Sequence, residues 1–144
     1  PRNANASNTY PAVLMLHGAW SSKNEVGNMY LRLARALAAK GYASLRIDFQ
    51  GSGDSKQTYR DLTYGGSIRD AHAAFDWLIA RKEIDASRVG VIGFSRGAFI
   101  GASLVGTEPR VAAFASWSGA LYNGIADPES LALALYSPRY RKIS

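Results

Sequence analysis

Cysteine is absent from the 144-residue chain, so disulfides, thiol catalysis and Cys-ligated zinc are excluded. Histidine is scarce: His17 and His72 are the only two. No apolar run approaches the roughly 20 residues of a membrane-spanning helix, so a bilayer is not an expected partner. Runs of like charge are also missing. The 17 Lys and Arg outnumber the 11 Asp and Glu, giving a formal net charge of +6, but they are scattered. Scattered charge reads as a solvated surface and not as the basic stripe of a nucleic-acid binder. Only Arg139-Tyr-Arg-Lys142 forms a cluster. There is no internal repeat and no low-complexity tract. Residues 1–8 are polar and contain no apolar core of a signal peptide, which slightly favours the cytoplasm and leaves secretion open.

What is present fits one globular domain, with 47% hydrophobic and 19% charged residues. Ala12 to Leu16 is a continuous apolar run of strand length, the pattern of a strand covered on both faces. Asn28 is placed to cap a helix from Met29 to Lys40, with Leu31, Leu33, Ala34, Leu37 and Ala38 on its apolar side and Gly41 as its stop. Ala43 to Phe49 reads as a second strand. Ser67 with Asp70 resembles a capping pair opening a helix to about Lys82, with Ile68, Ala71, Phe75, Leu78 and Ile79 on one side. Asp85 to Ser87 reads as a turn and Val89 to Phe94 as a third strand. A helix from Arg96 to Val105 is stopped by Gly106, and Val111 to Ser116 forms a fourth strand. A short helix is expected from Pro128 to Tyr136. Alternation of strand and helix with short connections predicts an α/β fold: a mostly parallel sheet, helices on both faces, right-handed crossovers.

The most informative segment is Gly93-Phe-Ser-Arg-Gly97, which follows an apolar strand and opens a small-residue helix. G-x-S-x-G in that context is a nucleophile elbow, with the Ser95 hydroxyl projecting from the top of the sheet. Gly93 and Gly97 are expected because so tight a turn leaves no room for side chains beside the serine. The competing reading of Ser95 is an ordinary helix N-cap.

Three motifs at the ends of three successive strands resemble the α/β-hydrolase superfamily. They are His17-Gly18, Asp48-Phe-Gln-Gly-Ser-Gly-Asp-Ser55 and the G-x-S-x-G of Ser95. The resemblance covers about Ala12 to Gly119. It implies that Ser95 is the nucleophile of acyl transfer. It also implies an oxyanion hole made by the backbone N–H of Arg96 and, most simply, of Ala19. Trp20, next on that loop, is expected either to wall the substrate pocket or to pack in the core. In such proteins the histidine at the position of His17 ties loops together, and the loop at Asp48 shapes the site. His72, on the second helix, is expected in a surface or packing role.

The resemblance breaks where the rest of the triad should be. In the family, acid and histidine follow the serine in the chain. Here no histidine follows Ser95, and the later acids are Glu108, Asp127 and Glu129. Glu108 is expected at the wrong side of the sheet. Residues 1–144 therefore read as the N-terminal part of a single hydrolase domain, with 120–144 as the start of a cap or a cleaved connection. A second chain or a further segment would complete the triad. The expected substrate is a small-molecule carboxylic ester. A peptidase of the prolyl-oligopeptidase type and a non-catalytic binding module are the alternatives. No His/Asp/Glu grouping has metal-ligand spacing, so neither metal nor organic cofactor is implied.

Overall fold

The computed structural model describes residues 9–119 apart from 59 and 61. The helix expected over 128–136, the cluster at 139–142 and the segment 120–144 lie outside the described residues. The chain runs β1 (Tyr10–Leu16), a 3-10 turn (Val26–Asn28), α1 (Met29–Ala39), β2 (Ala43–Arg46), α2 (Tyr64–Ile79), β3 (Ile84–Phe94), α3 (Arg96–Thr107) and β4 (Ala113–Trp117). The four strands form one parallel sheet in the order β2-β1-β3-β4. The connection from β1 to β2 steps one way along the sheet, and those from β2 to β3 and from β3 to β4 step the other way. Right-handed crossovers then put α1 on one face and α2 with α3 on the other.

Strand periodicity sorts the side chains between these faces. Ala12, Leu14 and Leu16 of β1 and Val89 and Val91 of β3 join Ala71, Phe75, Leu78, Ile100 and Leu104 in the core beneath α2 and α3. Met15 points the other way, and it and Tyr30 of α1 are fully buried. No helix of the described residues is long and apolar enough to cross a membrane.

Several boundaries differ from those expected. Strand β2 ends at Arg46, not Phe49, because the next backbone groups are used elsewhere: the Phe49 N–H donates to His17 Nε2. Helix α2 starts at Tyr64, capped by Thr63, whose Oγ1 accepts from Gly66 N–H at 2.9 Å. Ser67 is therefore inside the helix, its Oγ donating to the Thr63 carbonyl, and Asp70 accepts the Gln50 N–H instead of capping. Asn28 has φ 57° and makes no side-chain cap bond. Of α1, Tyr30 is the fully buried residue, whereas Leu31, Leu33 and Leu37 are half-buried. Strand β3 begins at Ile84 and includes the predicted turn, where the Asp85 carboxylate accepts from the Ser87 N–H and Oγ–H and from Arg88. Gly106 does not stop α3, which runs on to Thr107, and β4 is displaced to Ala113–Trp117.

Candidate active site

Strand β3 delivers Ser95 at its C-terminal end, and α3 begins at the next residue. Ser95 has φ 52° and ψ −119°, a left-handed conformation that is rare for a residue with a side chain. Its N–H donates to the Trp117 carbonyl at the end of β4 (3.0 Å), and its carbonyl accepts from Ala98 N–H (2.9 Å). Although Ser95 occupies the N-cap position of α3, its side chain makes no capping bond. The N-cap reading of this serine is thereby removed.

The flanking glycines are dictated by close approach. A Cβ on Gly93 would overlap the Gly97 carbonyl and come within 2.5 Å of Ala98 Cα. One on Gly97 would overlap the Leu16 carbonyl oxygen and lie 2.6 Å from that of His17. The first turn of α3 is thus pressed against the end of β1. The loop leaving β1 is held at the elbow as well: a Cβ on Gly18 would lie 3.3 Å from Ser95 Cβ. Ala19 and Trp20 follow directly, both exposed. Trp20 has φ 57° and is 82% exposed among the described residues, outside the core that they form. The Arg96 N–H is in the first turn of α3, where amides have no intrahelical acceptor and the helix dipole favours negative charge.

His17 is fully buried beneath this loop. Nε2 accepts from Phe49 N–H (3.2 Å), so the proton sits on Nδ1, which donates to the Gly18 carbonyl (2.7 Å). Burial lowers its pKa, against the opposing pull of the Gly18 carbonyl and of Glu25 and Asp48. A neutral ring with both nitrogens committed to backbone ties the two loops together and has no lone pair left for a serine proton. Asp48 also binds loops. Burial disfavours its charge, but the Lys23 ammonium and the Asp54 and Lys23 amides outweigh that and hold its pKa low. His72 is remote, with Nε2 3.1 Å from Thr107 Oγ1 at the far end of α3, roughly 18 Å along the helix from Ser95. Glu108 lies at that same end, paired with Arg110. Among the described residues no group of three or more His, Asp or Glu is arranged to hold a metal.

Two contributors were not expected from sequence. The Arg96 side chain, 9% exposed, donates from Nη2 to the Thr63 carbonyl (3.1 Å) and Ser67 Oγ (2.9 Å). It lies over the rings of Tyr64 and Phe49 at 4.8 and 5.9 Å. The elbow is thereby pinned to the start of α2. The other is Glu25, a buried carboxylate whose Oε2 accepts the Gly18 N–H at 2.6 Å. An arginine next to the serine hinted at the first; nothing local marked Glu25 among its polar neighbours.

The fold, with a serine elbow at the end of its third strand, defines the α/β-hydrolase class. Within that class, the BD-FAE family model matches residues 2–127, and the chain belongs to this family. It is 31% identical over 103 residues to acylamino-acid-releasing enzyme 2 of Oryza sativa subsp. japonica, covering 69% of this chain and 13% of that protein. It is 35% identical over 115 residues to the uncharacterized peptidase YuxL of Bacillus subtilis, covering 76% of this chain and 17% of that protein. Among solved structures, the Pyrococcus furiosus esterase Pf2001 superposes with a TM-score of 0.69 at 28% identity, covering 81% of this chain and 46% of that one. The chain thus spans 13% and 17% of the two curated relatives. Its homologues are esterases and peptidases, so the family is one of hydrolase-type enzymes.

Proposed function

We propose that this chain carries the nucleophile and oxyanion hole of a serine hydrolase that acts on carboxylic esters. The observation that carries the reading is the backbone of Ser95: a non-glycine residue held at φ 52° between two glycines, its hydroxyl not spent on the helix behind it. Ser95 Oγ attacks the ester carbonyl carbon while its proton passes to a histidine. That histidine and its partner acid come from polypeptide outside residues 1–144, either a further segment or a second chain. The carbonyl oxygen takes the negative charge and is met by the N–H groups of Ala19 and Arg96. Collapse expels the alcohol, which leaves with the histidine's proton. Water, activated by the same histidine, then hydrolyses the acyl-serine. Trp20 walls the pocket for the acyl or alcohol group. The chemistry requires no cofactor.

A peptidase of the prolyl-oligopeptidase type is the second reading. The acylamino-acid-releasing enzyme and the peptidase among the relatives favour it. Parallel assays on a p-nitrophenyl ester and a peptide anilide separate the two. In the complete enzyme, Ser95→Ala should lower ester turnover on the order of a million-fold while leaving folding intact. A fluorophosphonate probe should add to Ser95 alone. Residues 1–144 by themselves should be inactive until a histidine-containing second piece is supplied. Retention of most activity by Ser95→Ala, or turnover well above the buffer rate by residues 1–144 alone, would sink the proposal.

A further inference from the structure

We infer that Glu25 is a positioning residue of the oxyanion loop, fixing the His17–Gly18 peptide from which the Ala19 N–H is aimed; the inference rests on the reading of Ser95 above. Glu25 lies between β1 and α1, and its 6% exposure is unusual for a carboxylate. None of the ion pairs among the described residues includes it. Its charge is instead met by backbone. Oε2 accepts the Gly18 N–H at 2.6 Å, and Oε1 accepts the Val26 N–H at 3.0 Å. A carboxylate taken out of water is tolerated only when its oxygens are bonded in this way.

The backbone is equally unusual. Glu25 has φ 60° and ψ 174°, a combination almost reserved for glycine. Its N–H donates to the Ser22 carbonyl and its carbonyl accepts from Asn28, so the strained residue is held on both sides. A side chain in such a conformation persists only where its surroundings over-determine it, and here the side chain points at the elbow. A Cβ on Gly18 would lie 3.5 Å from Glu25 Oε2 and 3.3 Å from Ser95 Cβ. Carboxylate and nucleophile therefore flank the same stretch of backbone.

Two consequences follow. The Gly18 N–H is occupied, so it is not an oxyanion donor, and the next amide along the loop takes that role. Glu25 fixes the His17–Gly18 peptide through the Gly18 N–H, and the next peptide, which carries the Ala19 N–H, is fixed by the Gly18 carbonyl, which accepts from His17 Nδ1. Both oxygens of Glu25 face N–H donors. A glutamine would therefore set its amide against a donor at one of them, and an alanine would leave the Gly18 N–H without its acceptor.

The test compares Glu25→Gln, Glu25→Ala and Ser95→Ala in the complete enzyme. Kinetics on a p-nitrophenyl ester are measured beside the rate of phosphonylation by a fluorophosphonate. Glu25→Ala should lower kcat and the phosphonylation rate together by about a hundredfold, the scale of a misaligned catalytic group, with KM nearly unchanged. Glu25→Gln should lie between it and the parent, and it decides the matter if the alanine variant does not fold. A purely structural role would reduce the active fraction, found by titrating reacted serine, without lowering kcat per active site. That result overturns the inference, as does a rise in KM at constant kcat. Unchanged kcat in the Glu25 variants beside an inactive Ser95→Ala defeats this inference alone. An active Ser95→Ala defeats the proposed function with it.

Discussion

Among the described residues, the two faces of the sheet are covered to different extents. Beneath α2 and α3, Leu14, Leu16, Phe75, Val89, Ile100 and Leu104 are all completely buried. On the α1 face, Val13, Ile92 and Phe94 are half-buried, and Ala113, Ala115 and Trp117 of β4 are exposed. The better-packed face also bears the elbow, because α3 must sit hard against β1 for Gly97 to touch the Leu16 carbonyl. Interior packing on one side thus underlies the geometry at Ser95, while from the other side the Tyr30 hydroxyl holds the same Leu16 carbonyl at 2.9 Å.

The largest effect that would test this contrast is Phe75→Ala. Deleting a wholly buried ring from the packed face should cost about 3–5 kcal/mol of stability. Urea denaturation of the complete enzyme measures it, and a loss near zero would abolish the distinction between the faces. Ile92→Ala removes a smaller, aliphatic group from the opposite face of β3. Because that side chain is only half-buried among the described residues, the expected cost is about 1 kcal/mol where nothing further covers that face. Equal losses at the two positions would mean that the α1 face is as well covered as the other.

A smaller effect comes from pH. Burial lowers the pKa of His17 below 6.5, so in the folded protein the ring stays neutral where the unfolded chain would already bind a proton. The unfolded state then holds more protons, and stability must fall as pH drops from about 6.5 toward the folded-state value, levelling off below it. Asp48, whose pKa is lowered from 3.8, adds stability that is present above that value and lost as pH falls through its folded value. Melting curves from about pH 7.5 to about 5.5 should show the histidine's step, and His17→Asn should erase it. A flat profile for the parent would show that the buried ring accepts a proton without penalty.

The elements that sequence disclosed are those with local causes. Strand–turn–helix at Ser95, the two glycines, the alternation of strand and helix and the packed side of α2 follow from short-range patterns. The features that stayed hidden are long-range or polar. The Ser67–Asp70 pair looks like a cap, but Thr63 is the better-placed oxygen, and Asp70 is drawn to Gln50, 20 residues earlier. Phe49 leaves the β2 ladder for a histidine 32 residues away. Tyr30 is buried in α1 ahead of its leucines because its hydroxyl donates to the Leu16 carbonyl at 2.9 Å. Glu25 in a polar loop has no periodicity to reveal that it faces inward. At the site itself, the tight strand–turn–helix at Ser95 was legible, whereas the carboxylate and guanidinium that brace its surroundings were not.

The bond from the Ser95 N–H to the Trp117 carbonyl orders events in time. The acceptor is 22 residues further along the chain than the donor, so the turn around the nucleophile cannot acquire its full set of restraints until β4 has been made and laid beside β3. At synthesis rates of about 5–20 residues per second, Ser95 spends on the order of a second or more emerging without that partner. During that interval its left-handed backbone lacks one of the contacts that hold it. Ser95 is therefore translated before the strand that restrains it, and its turn matures only after β4.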